Sequence, residues 1–151
     1  MENLHCTQLR NWDIILSPDA IPAEQYAAEE FQRLFAQATG IQLPIRYYAE
    51  QPARHVYIGP SASLNATGVV ADLDALGEED FQITVEGDKI ALVGGRPRGT
   101  LYAVYQFLED YLGVRFLTYD HTHVPDSSAA SFPCGTSCYH PPFSFRWTYY
   151  R

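Results

Sequence analysis

The chain has 151 residues, 46% of them apolar and 19% charged, with a net charge of −8 and a single lysine, Lys89. One domain is expected at that length, with room for a trailing piece of another and a core that needs no disulfide or metal staple. The acidic surface excludes a phosphate-backbone partner, because nucleic acid calls for a basic patch, and no apolar run approaches the roughly 20 residues of a membrane span.

The first residues, "MENLHCTQLRNWD", lack the apolar stretch of a signal peptide. Asp13 to Leu16 reads as a short strand ended by "SPDAIP". Pro22 suits the first turn of a helix, where its missing N–H costs nothing. Ala27, Phe31, Leu34 and Ala38 then recur at helical steps, while Glu24, Glu29, Glu30 and Arg33 fall mostly off that stripe. Gly40 supplies the left-handed stop. Pro44 to Tyr48 and Arg54 to Ile58 are strand-like, and residues 61–76 read as a loop with a helical turn.

Phe81, Ile83 and Val85 alternate with Gln82, Thr84 and Glu86, "EGDK" turns the chain, and Ile90 to Val93 returns apolar. Alternation, a Gly-Asp turn and a second apolar run predict a hairpin. A second helix starts at Gly99, with Leu101, Val104, Leu108 and Tyr111 at helical spacing and Ala103 and Phe107 widening the face. Gly113 ends it, and "VRFLTY" is the next strand. The order implies an α+β domain: one mixed sheet with two amphipathic helices packed on one face.

Past Asp120 the texture changes to Ser, Pro and Gly, which reads as a linker or irregular wrap. Phe143, Phe145, Trp147 and Tyr149 then alternate with polar partners, a strand in search of a sheet. The expected division is residues 1–125 as the α/β accessory domain, 126–142 as linker or wrap, and 143–151 as the start of a truncated following domain. An unpaired aromatic strand of that kind is expected to drive self-association.

"GGRPRGT", Gly94 to Thr100, has the outline of a phosphate-binding loop. Such a loop works by aiming backbone N–H groups at phosphate while a lysine neutralises it. Here the lysine is absent, Pro97 removes an N–H, and the preceding strand belongs to a hairpin rather than a parallel sheet. The reading that remains is a tight strand-to-helix turn, with Gly94 and Gly95 taking unusual angles and Gly99 letting the helix lie close to the sheet. Arg96 and Arg98 would then face solvent or a neighbouring domain.

The acids Glu29-Glu30, Glu78-Glu79-Asp80 and Glu109-Asp110 are adjacent in sequence. Neighbours on a helix point about 100° apart, a poor start for a glycosidase pair. His121 and His123 make at best half a metal site, with Asp120, Asp126 or Cys134 as nominal partners. Neither these nor Ser61, Ser63 and His55 sit in a nucleophile motif. No cofactor is expected. Cys134 and Cys138 are spaced for a small disulfide in an oxidising compartment, which geometry decides. Tyr47, Tyr48, Tyr102, Tyr105 and Tyr111 supply the aromatics that a glycan-binding surface would need, although most lie where a core would want them.

"AAEEFQRLFAQATGIQLPI" (Ala27 to Ile45), "VYIGPS" (Val56 to Ser61), "GEEDFQITVEGDKIALVGGRPRGTLYAVYQFLEDYLGVRFL" (Gly77 to Leu117) and Val124-Pro125 occur in that order. They resemble the domain ahead of the barrel in family 67 α-glucuronidases and the β-N-acetylhexosaminidase-like accessory domain, including relatives in uncharacterised gut-bacterial hydrolases. The resemblance covers about residues 12–147. It implies an α/β module without catalytic residues, the acids lying in a following (β/α)₈ barrel in cis, whose first strand "PPFSFRWTYYR" resembles. It also implies carbohydrate as substrate or partner and a periplasmic or extracellular setting. The candidate docking surface toward the barrel is Gly94, Gly95, Arg96, Arg98 and Gly99 with Phe143, Phe145 and Trp147.

Overall fold

Strict alternation at period two places one set of side chains on each face of a sheet, and this sets the architecture. The computed structural model describes residues 3–48, 54–60, 64, 80–95, 98–118, 121–126 and 130–139. In chain order the elements are β1 (Asn3–His5), a 3₁₀ turn (Cys6–Leu9), β2 (Asp13–Leu16), α1 (Pro22–Thr39), β3 (Ile45–Arg46), β4 (His55–Ile58), β5 (Phe81–Glu86), β6 (Lys89–Gly94), α2 (Gly99–Leu112), β7 (Arg115–Thr118), β8 (His121–His123), β9 (Ser131–Pro133) and β10 (Gly135–Tyr139). The main sheet has the order β10-β5-β6-β4-β2-β3. β3, β2, β4 and β6 run parallel, while β5 is antiparallel to both β6 and β10.

Register decides which residues share a face. Ile14, Val56, Ile90 and Val85 stand in one row and Leu16, Ile58, Leu92 and Ile83 in the next. All are buried in one cluster with Ala27, Phe31, Leu34 and Phe35 of α1 and Val104, Phe107 and Leu108 of α2. Phe31 and Phe107 meet with ring centroids 5.8 Å apart, joining the helices. Each such side chain contributes about 1.5–3 kcal/mol through burial. The opposite face carries a smaller cluster of Ile15, Tyr57, Leu64, Ala91 and Val93. The α+β reading, a mixed sheet with both helices on one face, is the observed fold. Among the described residues no helix is long and apolar enough to cross a membrane.

Both helices stop at glycines in the left-handed region, Gly40 at φ 79° and Gly113 at φ 72°. Glu24, assigned off the apolar stripe, is buried, and its Oε1 accepts the Ile21 N–H at 3.2 Å. That bond satisfies one of the donors a helix start leaves open. The carboxyl end of the side chain lies against Gly59, whose φ of +80° closes the turn after β4.

Two expectations need correction. β7 does not enter the main sheet but pairs antiparallel with β8. The segment read as an irregular wrap holds β9, antiparallel to β1, and β10, which forms the edge beside β5. Alternation of residue types signals a strand without naming its partner. On the question left to geometry, no disulfide joins Cys134 to Cys138, and none involves Cys6.

Burial raises the Glu109 carboxyl above its ordinary value, opposed by Arg115 and assisted by Asp110. A raised acid holds its proton more tightly folded than unfolded. Its contribution to stability is therefore present at low pH and lost as pH rises through the folded-state value. Glu109→Gln is expected to flatten that decline in melting temperature across the carboxyl range; an unchanged slope would count against it.

Candidate functional site

The turn between β6 and α2 is built by close approach. A Cβ on Gly94 would lie 2.2 Å from the Gly99 carbonyl carbon, and one on Gly99 would lie 2.3 Å from the Asp80 carbonyl oxygen. The amides here are spent inside the protein. Gly94 N–H donates to the Thr100 hydroxyl at 3.0 Å, Gly95 N–H to the Asp80 carbonyl at 2.9 Å, and Gly99 N–H to the Gly95 carbonyl at 2.7 Å. An anion held by these three would have to displace bonds already made in a buried turn. One argument against a phosphate loop fails, because β6 is parallel to β4 on its other side. The missing lysine and Pro97 stand, and the internal bonding replaces what was lost.

Gly94, Gly95 and Gly99 are buried, whereas Arg98, which precedes the first residue of α2, is exposed. Of the docking residues named from the sequence, Arg98 therefore carries the outer surface of this turn among the described residues. Arg96, Phe143, Phe145 and Trp147 lie outside the described residues, as do Glu78, Glu79, Ser61, Ser63 and Asp120.

The acid pairs are divided between different tasks. Glu30 accepts from Arg33 at 2.8 Å and from the Tyr105 hydroxyl at 3.2 Å, while Glu29 is exposed. Asp110 accepts from Gln106 at 2.9 Å, and Glu109 is half-buried. Among the described residues no three His, Cys, Asp or Glu side chains gather as a metal site. His121 and His123 instead belong to β8, opposite Thr118 and Arg115.

Sequence reasoning missed a charged row on the face away from the helices. Asp13, His55 and Lys89 begin neighbouring parallel strands in register, and Glu86 stands opposite Lys89. Asp13 pairs with the buried His55 through Nδ1 and with Arg46 at 3.0 Å. Burial works against the Lys89 charge, but Asp88 and Glu86 outweigh it and hold its pKa above the ordinary value. Burial likewise raises the Tyr57 hydroxyl, with Lys89 pulling it back and Asp13 and Asp88 adding to the rise. Only Asp13 was legible as the first residue of a strand; the register that aligns it with His55 and Lys89 was not.

A cleft of about 290 Å³ opens at the carboxyl ends of β2 and β3, lined by Leu16, Ser17, Pro18, Gln25, Glu29, Ile45 and Tyr47. Tyr47 and Tyr48 are 51% and 71% exposed and Tyr26 49%, whereas Tyr102 and Tyr105 are buried. A wider, open hollow lies at the other end of the sheet, around the Gly87 turn and Cys134 to Thr136.

The family model for glycosyl hydrolase family 20, domain 2, matches residues 9–113, well over half of the chain. A solved Flavobacterium johnsoniae chitobiase is similar in fold, with a TM-score of 0.57 at 19% identity over 97% of this chain and 20% of that one. The chain thus spans about a fifth of that chitobiase's length. No curated protein matches the sequence.

Proposed function

The chain belongs to the glycosyl hydrolase family 20, domain 2, family, and from that premise we propose that it acts as a non-catalytic accessory domain of a hexosaminidase-like glycoside hydrolase. Its partner in this reading is a catalytic (β/α)₈ barrel in cis, which it buttresses and whose substrate cleft one of its edges frames. The observation that supports the non-catalytic part is the inward bonding of the Gly94–Gly99 turn, together with Glu30 and Asp110 engaged in separate structural contacts. The proposed docking face is the turn bearing Arg96 and Arg98, continued by Phe143, Phe145 and Trp147. The α-glucuronidase relationship is the finer alternative for the parent, and an exported setting accompanies either. The same aromatic tail is the proposed route to self-association when no barrel covers it.

The test is direct. The chain is incubated with aryl N-acetyl-β-glucosaminides, aryl glucuronides and glucuronosyl oligosaccharides, and no turnover above background is expected. Turnover that disappears when Glu29, Glu109 or Asp110 is replaced by its amide would overturn the reading.

A further inference from the structure

The cleft beside Tyr47 has the parts of a saccharide site, and nothing in the accessory role requires them. Its base is the junction where β2 and β3 end, Leu16 and Ile45 supplying apolar floor. Tyr47 forms part of the lining while half of its surface remains open, so its ring can present a face. Gln25 and Glu29 lie four apart on α1, on one helix face, and both line the cleft.

Two of the polar groups, Gln25 and Ser17, are already oriented. Gln25 is held by the bond its Nε2 donates to the Ala20 carbonyl at 2.8 Å, which leaves its carbonyl oxygen to accept. Ser17 Oγ accepts the Asp19 N–H at 3.0 Å, leaving its own hydroxyl hydrogen to donate. Glu29 is exposed and carboxylate in type, a two-oxygen acceptor suited to adjacent hydroxyls. Polar groups fixed before binding lower the ordering cost that weakens most small-ligand sites.

Charge selects among sugars. Among the described residues lining the cleft none is a cation and Glu29 is acidic, within a chain of net charge −8. A uronate or sulfated sugar would meet repulsion without a partner. We infer that this cleft binds a neutral oligosaccharide, one ring stacking on Tyr47 and its hydroxyls bonding to Glu29, Gln25 and Ser17.

The inference stands apart from the accessory reading and fails separately from it. The whole chain is titrated with cellotriose, chitotriose and trigalacturonate, followed by amide NMR shifts and calorimetry. A saturable response centred on Tyr47, Gln25 and Glu29 is expected with a neutral trisaccharide, weaker by about ten-fold or more with the uronate. Tyr47→Ala should weaken the neutral sugar by roughly ten-fold, the loss of one aromatic contact, with an unchanged melting temperature. Silence with both neutral sugars, equal affinity for the uronate, or full affinity in Tyr47→Ala would each overturn it. Tyr47→Phe should keep the binding, because the ring rather than the hydroxyl is the platform; its loss would also count against the assignment.

Discussion

Replacing Gly99 by alanine is expected to destabilise the domain by about 3 kcal/mol, lowering its melting temperature by roughly 6–12 °C. The new methyl would be 2.3 Å from the Asp80 carbonyl oxygen and 2.9 Å from two Gly94 backbone atoms, so backbone and not a flexible side chain must yield. Relief would require α2 to move off the sheet, and α2 contributes Ala103, Val104, Phe107 and Leu108 to the core. It would also stretch the Gly95-to-Asp80 and Gly99-to-Gly95 bonds, whose groups are buried. Gly94→Ala should behave alike, its methyl meeting Gly99 at 2.2 Å. Gly87→Ala is the matched control, because no atom lies within 4 Å of its would-be Cβ. The same chemical change there should stay within about 0.5 kcal/mol. Should Gly99→Ala melt with Gly87→Ala, close packing would not be what these glycines are for.

The sequence made the helices and the hairpin readable because their signals are local. Ala27, Phe31, Leu34 and Ala38 repeat at the helical period, Gly40 and Gly113 mark the stops, and "EGDK" sits between an alternating run and an apolar one; all reappear in the structure. Pairing was not readable, since the hydrogen-bond partner of a strand lies elsewhere in the chain. β7 looked like a sheet strand and went to β8, while β10, hidden among Ser, Gly and Cys, took the place beside β5. The same gap concealed the charged row. Asp13 and His55 are 42 residues apart, and only the parallel register of β2 and β4 brings them together. The cleft was half legible. Tyr47 and Tyr48 could be named as aromatic supply, but that Gln25 and Glu29 line the same space as Tyr47 is set by tertiary packing. Buried Tyr102 and Tyr105 went to the core, as their place on the apolar face of α2 implied.

Phe132→Ala is expected to cost about 3–5 kcal/mol, or roughly 6–20 °C in melting temperature. A residue of a flexible wrap would cost almost nothing. Phe132 is fully buried on β9, opposite Leu4 of β1, and its ring lies 5.3 Å from Phe107 and 5.8 Å from Tyr111 by centroid. Phe107 in turn meets Phe31, which stacks on Phe35. The aromatic chain therefore runs from α1 through α2 into β9, well beyond the expected boundary near residue 125. Truncating its last member leaves a cavity against rigid helical side chains, which collapse poorly onto lost volume. Exposed Ser131 and Pro133 flank it on the same strand, so Ser131→Ala serves as the local control and should stay within about 0.5 kcal/mol. Thermal melts of the two variants decide the matter. Were Phe132→Ala to melt within about 2 °C of the parent, β9 would be an appendage and the core would close without it.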